Sequence, residues 1–172
     1  MIMSTAVAKN EVDNKLILVV EDDRDMNELM CALMSGAGFQ TISAGDGKEG
    51  LDLAFEHHPD LILMDIMLPE MDGIKTCEKL RKETVTAGIP VIMVSAKRDV
   101  HTKLASFVAG AKRYITKPFG VEELIDEVRK TFRQKRISQD VDAYRDKCDG
   151  GGDFGVFPSD YVERTEVCDK EI

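Results

Sequence analysis

The chain has 172 residues, 43% of them hydrophobic, and a formal net charge of −9. That length suits one globular domain with a short appendage and a core that needs no disulfides. The acidic balance argues against a nucleic-acid partner, whose affinity rests largely on neutralising phosphates. No apolar run approaches the roughly 20 residues of a membrane span; the best, Leu61 to Leu68, is broken by Asp65. The start, Met1 to Lys9, lacks the basic leader of a secretory signal. Cys31, Cys77, Cys148 and Cys168 form no CxxC pair and are expected to be reduced thiols of a cytoplasmic protein.

The first apolar run is Leu16 to Val20, continuous as in a strand buried on both faces. Arg24 to Ser35 follows with Met26, Leu29, Met30, Leu33 and Met34 at helical spacing, and Gly36 as a stop. Gln40 to Ala44 is a weaker, mixed run of the kind found at a sheet edge. A helix over Lys48 to His58 is halted by Pro59, and Leu61 to Met64 is the next buried strand. A helix over Ile74 to Glu83 and a buried strand over Val91 to Val94 come next. A further helix spans Asp99 to Ala109, with Asp99 as its cap and Gly110 as its end. Lys112 to Thr116 is the second mixed run, and Val121, Leu124, Ile125, Val128 and Phe132 then make one apolar helical stripe. Five strand–helix units in strict alternation predict an α/β fold, a parallel sheet with helices on both faces and the mixed strands at its edges.

Beyond about Arg136 the composition shifts. Residues 138–172 carry a net charge of −6 and include the joint Asp149-Gly-Gly-Gly-Asp153. The expected organisation is an extension over 1–14, a domain over 15–137 and a flexible acidic tail over 138–172.

Function is signalled by position. Glu21 and Asp22 follow the first strand, Asp65 the third, Ser95 the fourth and Lys117 the fifth. In a parallel sheet these strand ends share one edge, where open α/β folds bind their ligands. Three carboxylates gathered there repel one another unless a cation intervenes, and a hard divalent ion such as Mg²⁺ suits oxygen donors that leave room for water and phosphate. A carboxylate nucleophile, a metal, a lysine and a hydroxyl together describe phosphoryl transfer.

Leu18-Val-Val-Glu-Asp-Asp23, Leu63-Met-Asp-Ile-Met-Leu-Pro-Glu-Met-Asp-Gly73, Val94-Ser-Ala96 and Ile115-Thr-Lys-Pro-Phe119 carry a resemblance to a known family. Together with Ala44-Gly-Asp-Gly-Lys-Glu-Gly50, they resemble the receiver domain of two-component response regulators, over roughly Lys15 to Arg136. The resemblance implies a flavodoxin-like five-stranded sheet of order 2-1-3-4-5, the order that chemotaxis receivers also show. It implies Asp65 as the phosphoacceptor from a sensor histidine kinase, and Mg²⁺ held by Asp22, Asp65 and the backbone carbonyl of Met67, with Glu21 in support. Lys117 and Ser95 would contact the phosphoryl group, and Ser95 and Tyr114 would act as the switch. A cis peptide is implied at Lys117-Pro118. The fourth helix, fifth strand and fifth helix would form the output face for a downstream protein, on a monomer or a phosphorylation-dependent dimer.

Such a chain is a switch that catalyses only its own phosphorylation and dephosphorylation, or alternatively a relay passing phosphate to a histidine phosphotransferase. An aspartyl-phosphate phosphatase of the haloacid-dehalogenase type would need an acid two residues after Asp65, where Met67 stands. A nucleotide or flavin site lacks the glycine-rich turn after the first strand. A transcription factor is disfavoured because a tail of 35 residues, acidic in net charge, is too short for a DNA-binding domain. No membrane partner is expected.

Overall fold

The computed structural model describes residues 14–134. Within them the apolar runs become β1 (Leu16–Val20), β2 (Gln40–Ala44), β3 (Leu61–Met64), β4 (Val91–Ser95) and β5 (Arg113–Thr116). Between the strands lie α1 (Arg24–Gly36), α2 (Gly47–His57), α3 (Gly73–Lys82) and α4 (Val100–Val108). A fifth helix, α5, runs over residues 121–134 as far as they are described. The strands pair in parallel in the order β2-β1-β3-β4-β5, the flavodoxin-like arrangement. The mixed strands β2 and β5 are its edges. The expected tail over 138–172, and the extension over 1–14 apart from Asn14, lie outside the described residues.

The period-2 geometry of a strand sends alternate side chains to opposite faces, which divides the core in two. Ile17, Val19, Leu61, Leu63, Ile92, Val94 and Ile115 meet Met30 and Met34 of α1 and Leu124 and Val128 of α5. Leu18, Val20, Ile62, Met64, Val91 and Met93 meet Leu51 and Ala54 of α2 and Cys77 and Leu80 of α3. On β5 the division is sharp: Ile115 belongs to the first layer and Tyr114 to the second.

The helix starts follow from short acidic caps. Asp23, Asp46, Asp72 and Asp99 each accept a hydrogen bond from a backbone N–H in the first turn of α1, α2, α3 and α4. Leu29 is exposed although it belongs to the apolar stripe of α1; the buried arc is centred between Met30 and Met34, and Leu29 lies at its margin. Val121, in the first turn of α5, is likewise exposed.

Candidate functional site at the carboxyl edge of the sheet

Hydrogen bonds of the parallel ladder continue one residue past the strand ends and set the site. Asp65 N donates to the Val20 carbonyl at 2.9 Å, Glu21 N to the Ala44 carbonyl at 3.1 Å, and Lys117 N to the Ser95 carbonyl at 2.9 Å. Side chains from β1, β3 and β5 thereby reach one space. Gly73 lets the loop after β3 fold back: a Cβ there would run into the carbonyl oxygen of Asp65, and the Gly73 N–H instead bonds the Ile66 carbonyl at 3.0 Å.

Lys117 stands between two carboxylates, with Nζ 2.6 Å from Glu21 Oε2 and 2.8 Å from Asp65 Oδ2. The other oxygen of Asp65, Oδ1, accepts the Met67 N–H at 3.0 Å. Asp65 is only 5% exposed and Glu21 2%. Burial pushes the Glu21 carboxyl above its ordinary value, against the lowering effect of its bond to Lys117. For Lys117, burial pulls downward, but the bonds to Asp65 and Glu21 outweigh it and hold the ammonium above its ordinary value. Lys117 therefore stays charged at neutral pH. The Lys117–Pro118 peptide is cis.

Asp22 is exposed beside this pair. Glu21, Asp22 and Asp65 each present a carboxylate oxygen, all within 4.8 Å of one another. Three carboxylates face one ammonium, so the cluster keeps an excess of negative charge after Lys117 is counted. An oxygen-only donor set of that charge fits a hard divalent cation. The Met67 side chain is exposed, so only its backbone faces Asp65.

Ser95 is fully buried as the last residue of β4, on the strand adjacent to β3. Its Oγ accepts the Lys97 N–H at 3.4 Å, and the Tyr114 hydroxyl donates to the Lys97 carbonyl at 2.6 Å. The loop after β4 is thus held from two sides. Burial raises the Tyr114 pKa, which keeps the hydroxyl a donor, and Lys103 of α4 lies 5.4 Å from the ring centroid.

Two features went unread in the sequence. Glu21 is a direct partner of Lys117 as well as a neighbour of the metal space, and Asn27 of α1 bonds the Glu21 carbonyl. A polar residue on a helix stripe otherwise rich in methionines is the signal that could have found Asn27. Asp23, the third acid of the run, is the cap of α1 and lies outside the cluster.

A family model for the response regulator receiver domain matches residues 17–129. The chain belongs to that family. It is a receiver of the two-component type, a signalling switch by family, and phosphotransfer from a kinase is general among its members. Receivers also generally bind Mg²⁺ through an acidic pocket of this kind. The DNA-binding dual master transcriptional regulator RpaA of Synechocystis sp. is 41% identical over 124 residues, which cover 72% of this chain and 52% of that protein. The DNA-binding response regulator MtrA of Mycobacterium tuberculosis is 41% identical over 118 residues, 69% of this chain and 50% of that one. The chain spans about half the length of these curated relatives. Among solved structures, the Francisella response regulator 1452 receiver domain is 34% identical with a TM-score of 0.66, covering 70% of this chain and 98% of its own. A CheY-like receiver domain protein from Methanospirillum hungatei is 28% identical with a TM-score of 0.69, covering 73% and 99%.

The relatives overturn one expectation. Exclusion of a nucleic-acid partner conflicts with RpaA and MtrA, both named as DNA-binding. The charge argument failed because a net charge of −9 sums the whole chain, whereas contact with phosphates depends on local patches. The length argument weighed only the residues after the receiver and does not exclude a nucleic-acid partner, since the matched segment is about half of each relative. No helix among the described residues is long and apolar enough to cross a membrane.

Proposed function

We propose that Asp65 is the phosphoacceptor of this chain and takes its phosphoryl group from the phosphohistidine of a sensor kinase. The carrying observation is the pair of contacts at Asp65: Lys117 Nζ at 2.8 Å on one carboxylate oxygen and the Met67 N–H at 3.0 Å on the other. An Asp65 oxygen forms the new P–O bond as the P–N bond to the histidine breaks, and the imidazole leaves with its electron pair. Asp22, Asp65 and the Met67 carbonyl would hold Mg²⁺, with Glu21 in support. The ion, when bound, offsets the charge of the carboxylates and the incoming phosphate. Lys117, freed from part of its bond to Asp65, turns to the phosphoryl oxygens. Ser95 donates to the same group and draws the loop after β4 inward, so that the Tyr114–Lys97 bond has to be remade.

The receiver unit is proposed as 15–137, with its output on α4, β5 and α5. Support comes from exposed apolar side chains gathered there: Val100, Leu104, Phe107 and Val108 of α4, and Val121 of α5. A partner with an apolar contact surface would cover them. The test is intact mass after incubation with acetyl phosphate and Mg²⁺. Wild type should gain one phosphoryl group, while Asp65→Asn and chelator-treated protein should gain none. An undiminished gain in Asp65→Asn would move the site elsewhere.

The relatives favour a second reading of the output, in which the switch governs a complex on DNA. It expects duplex DNA to be retarded at low salt by the phosphorylated chain and less by Asp65→Asn. Equal behaviour of the two forms counts against it.

A further inference from the structure

Asn27 closes the first turn of α1, near the acidic loop yet outside the carboxylate cluster. Its Nδ2 donates to two main-chain carbonyls, Glu21 O at 3.0 Å and Ala44 O at 3.1 Å. Its backbone N–H bonds the carbonyl of Asp23 at 2.9 Å. The side chain and the backbone of one residue therefore grip the chain on both sides of Asp22. Asp22 itself makes no hydrogen bond or ion pair among the described residues, so its carboxylate is aimed only by the peptides that flank it. Among the described residues, no other donor reaches the Glu21 carbonyl. The Ala44 carbonyl already accepts the Glu21 N–H, so Asn27 closes the gap where the β1–β2 ladder ends.

We propose that Asn27 is a positioning residue for divalent-cation binding, holding the peptides around Asp22 so that the Glu21 and Asp22 carboxylates stay directed at the space they share with Asp65. The inference rests on the proposed reading of that cluster as the metal and phosphoacceptor site. Removing the carboxamide leaves the Glu21 carbonyl without a donor and the Ala44 carbonyl with the Glu21 N–H alone, and lets the acidic loop separate under its own repulsion. Loss of such outer support typically weakens metal affinity about 10- to 100-fold. The donors of Asn27, and not its bulk, carry the effect.

The experiment is calorimetric titration of the unphosphorylated full chain with Mg²⁺ alone, well below its melting temperature. Asn27→Leu keeps the branched shape, at a larger volume, and removes both donors; its Kd should rise about tenfold. Its phosphorylation by acetyl phosphate should need more Mg²⁺ for half-maximal rate, yet approach the wild-type rate at saturation. Asn27→Gln retains the amide and should recover part of the affinity. If Asn27→Leu fails to fold, Asn27→Ala, which also lacks a donor, is held to the same expectation. A variant that melts earlier but binds Mg²⁺ with the wild-type Kd is merely structural at this position, and overturns the proposal. A wild-type chain that binds no Mg²⁺ overturns the reading of the cluster itself, an outcome distinguishable because it appears before any variant is compared.

Discussion

α4 and α5 flank the same edge strand and are seated in opposite ways. α5 sends Leu124 and Val128, both fully buried, into the layer with Ile17, Val19 and Ile115. Phe132 stacks on Phe39 with centroids 5.7 Å apart. Arg113 of β5 adds an ion pair at 2.8 Å to Glu127 and a bond to the Thr131 hydroxyl. α4 has none of this. Its one buried residue is Ser106, whose hydroxyl turns back to the Thr102 carbonyl of the same helix. Its large apolar side chains face outward, Val108 at 88% exposure and Leu104 at 57%. Apolar burial, which scales with area removed from water, thus ties α5 to the sheet and leaves α4 held by its Asp99 cap, its loop contacts and the Lys103–Tyr114 ring contact. Regions with few buried apolar contacts open at low free energy. A switch needs such an element beside its reacting group, and α4 follows directly from the loop that begins at Ser95.

The contrast can be broken most forcefully from the α5 side. Leu124→Ala should lower unfolding free energy by about 2–5 kcal/mol, the range for a buried leucine that leaves a cavity. Urea denaturation measures it, and a loss under about 1 kcal/mol would show that α5 is not anchored as described. Tyr114→Phe comes next, removing the 2.6 Å bond to Lys97. Its cost should be about 1 kcal/mol, with faster amide exchange at the start of α4 and none added in α5.

The pH response of Glu127 sharpens the picture further. Burial raises its carboxyl, but Lys130 and Arg113 outweigh that and hold it below its ordinary value of 4.5. Its contribution is therefore fully present above pH 4.5 and lost as pH falls through the lowered value. A melting-temperature deficit of Glu127→Gln should appear at pH 7 and shrink below pH 4.5. A deficit unchanged by acid would assign the effect to shape and not to charge. The smallest effect belongs to Leu104→Ala on α4, within about 0.5 kcal/mol of wild type; a larger loss would mean that α4 is more firmly held than its exposure indicates.

Much of this was legible in the residues. Leu16–Val20, Leu61–Met64 and Val91–Val94 are continuous apolar runs because their strands are covered on both faces, and the mixed runs fell at the edges where one side meets solvent. Polar groups at strand ends pointed to the carboxyl edge because parallel strands leave no other place for them to converge. What stayed hidden depends on contacts between segments far apart in the chain. Lys117 reaches Glu21 across 96 positions, and no local pattern announces that pair. The outward turn of the α4 apolar residues was equally invisible, since an amphipathic stripe does not say whether a sheet or solvent lies opposite. Net charge misled about nucleic acid because a sum over residues carries no geometry.

The central claim is that a phosphoryl group on Asp65 is felt through Ser95 and Tyr114 in α4, while α5 keeps its seat. The direct measurement is the amide NMR spectrum of wild type with Mg²⁺, before and after beryllofluoride, a mimic of the phosphoryl group, with Asp65→Asn as control. Shifts should concentrate at Ser95, Lys97, Tyr114 and the first turns of α4, with Leu124 and Val128 little moved and Asp65→Asn silent. Equal shifts in Asp65→Asn, or a wild-type response centred on the buried residues of α5, would contradict the account.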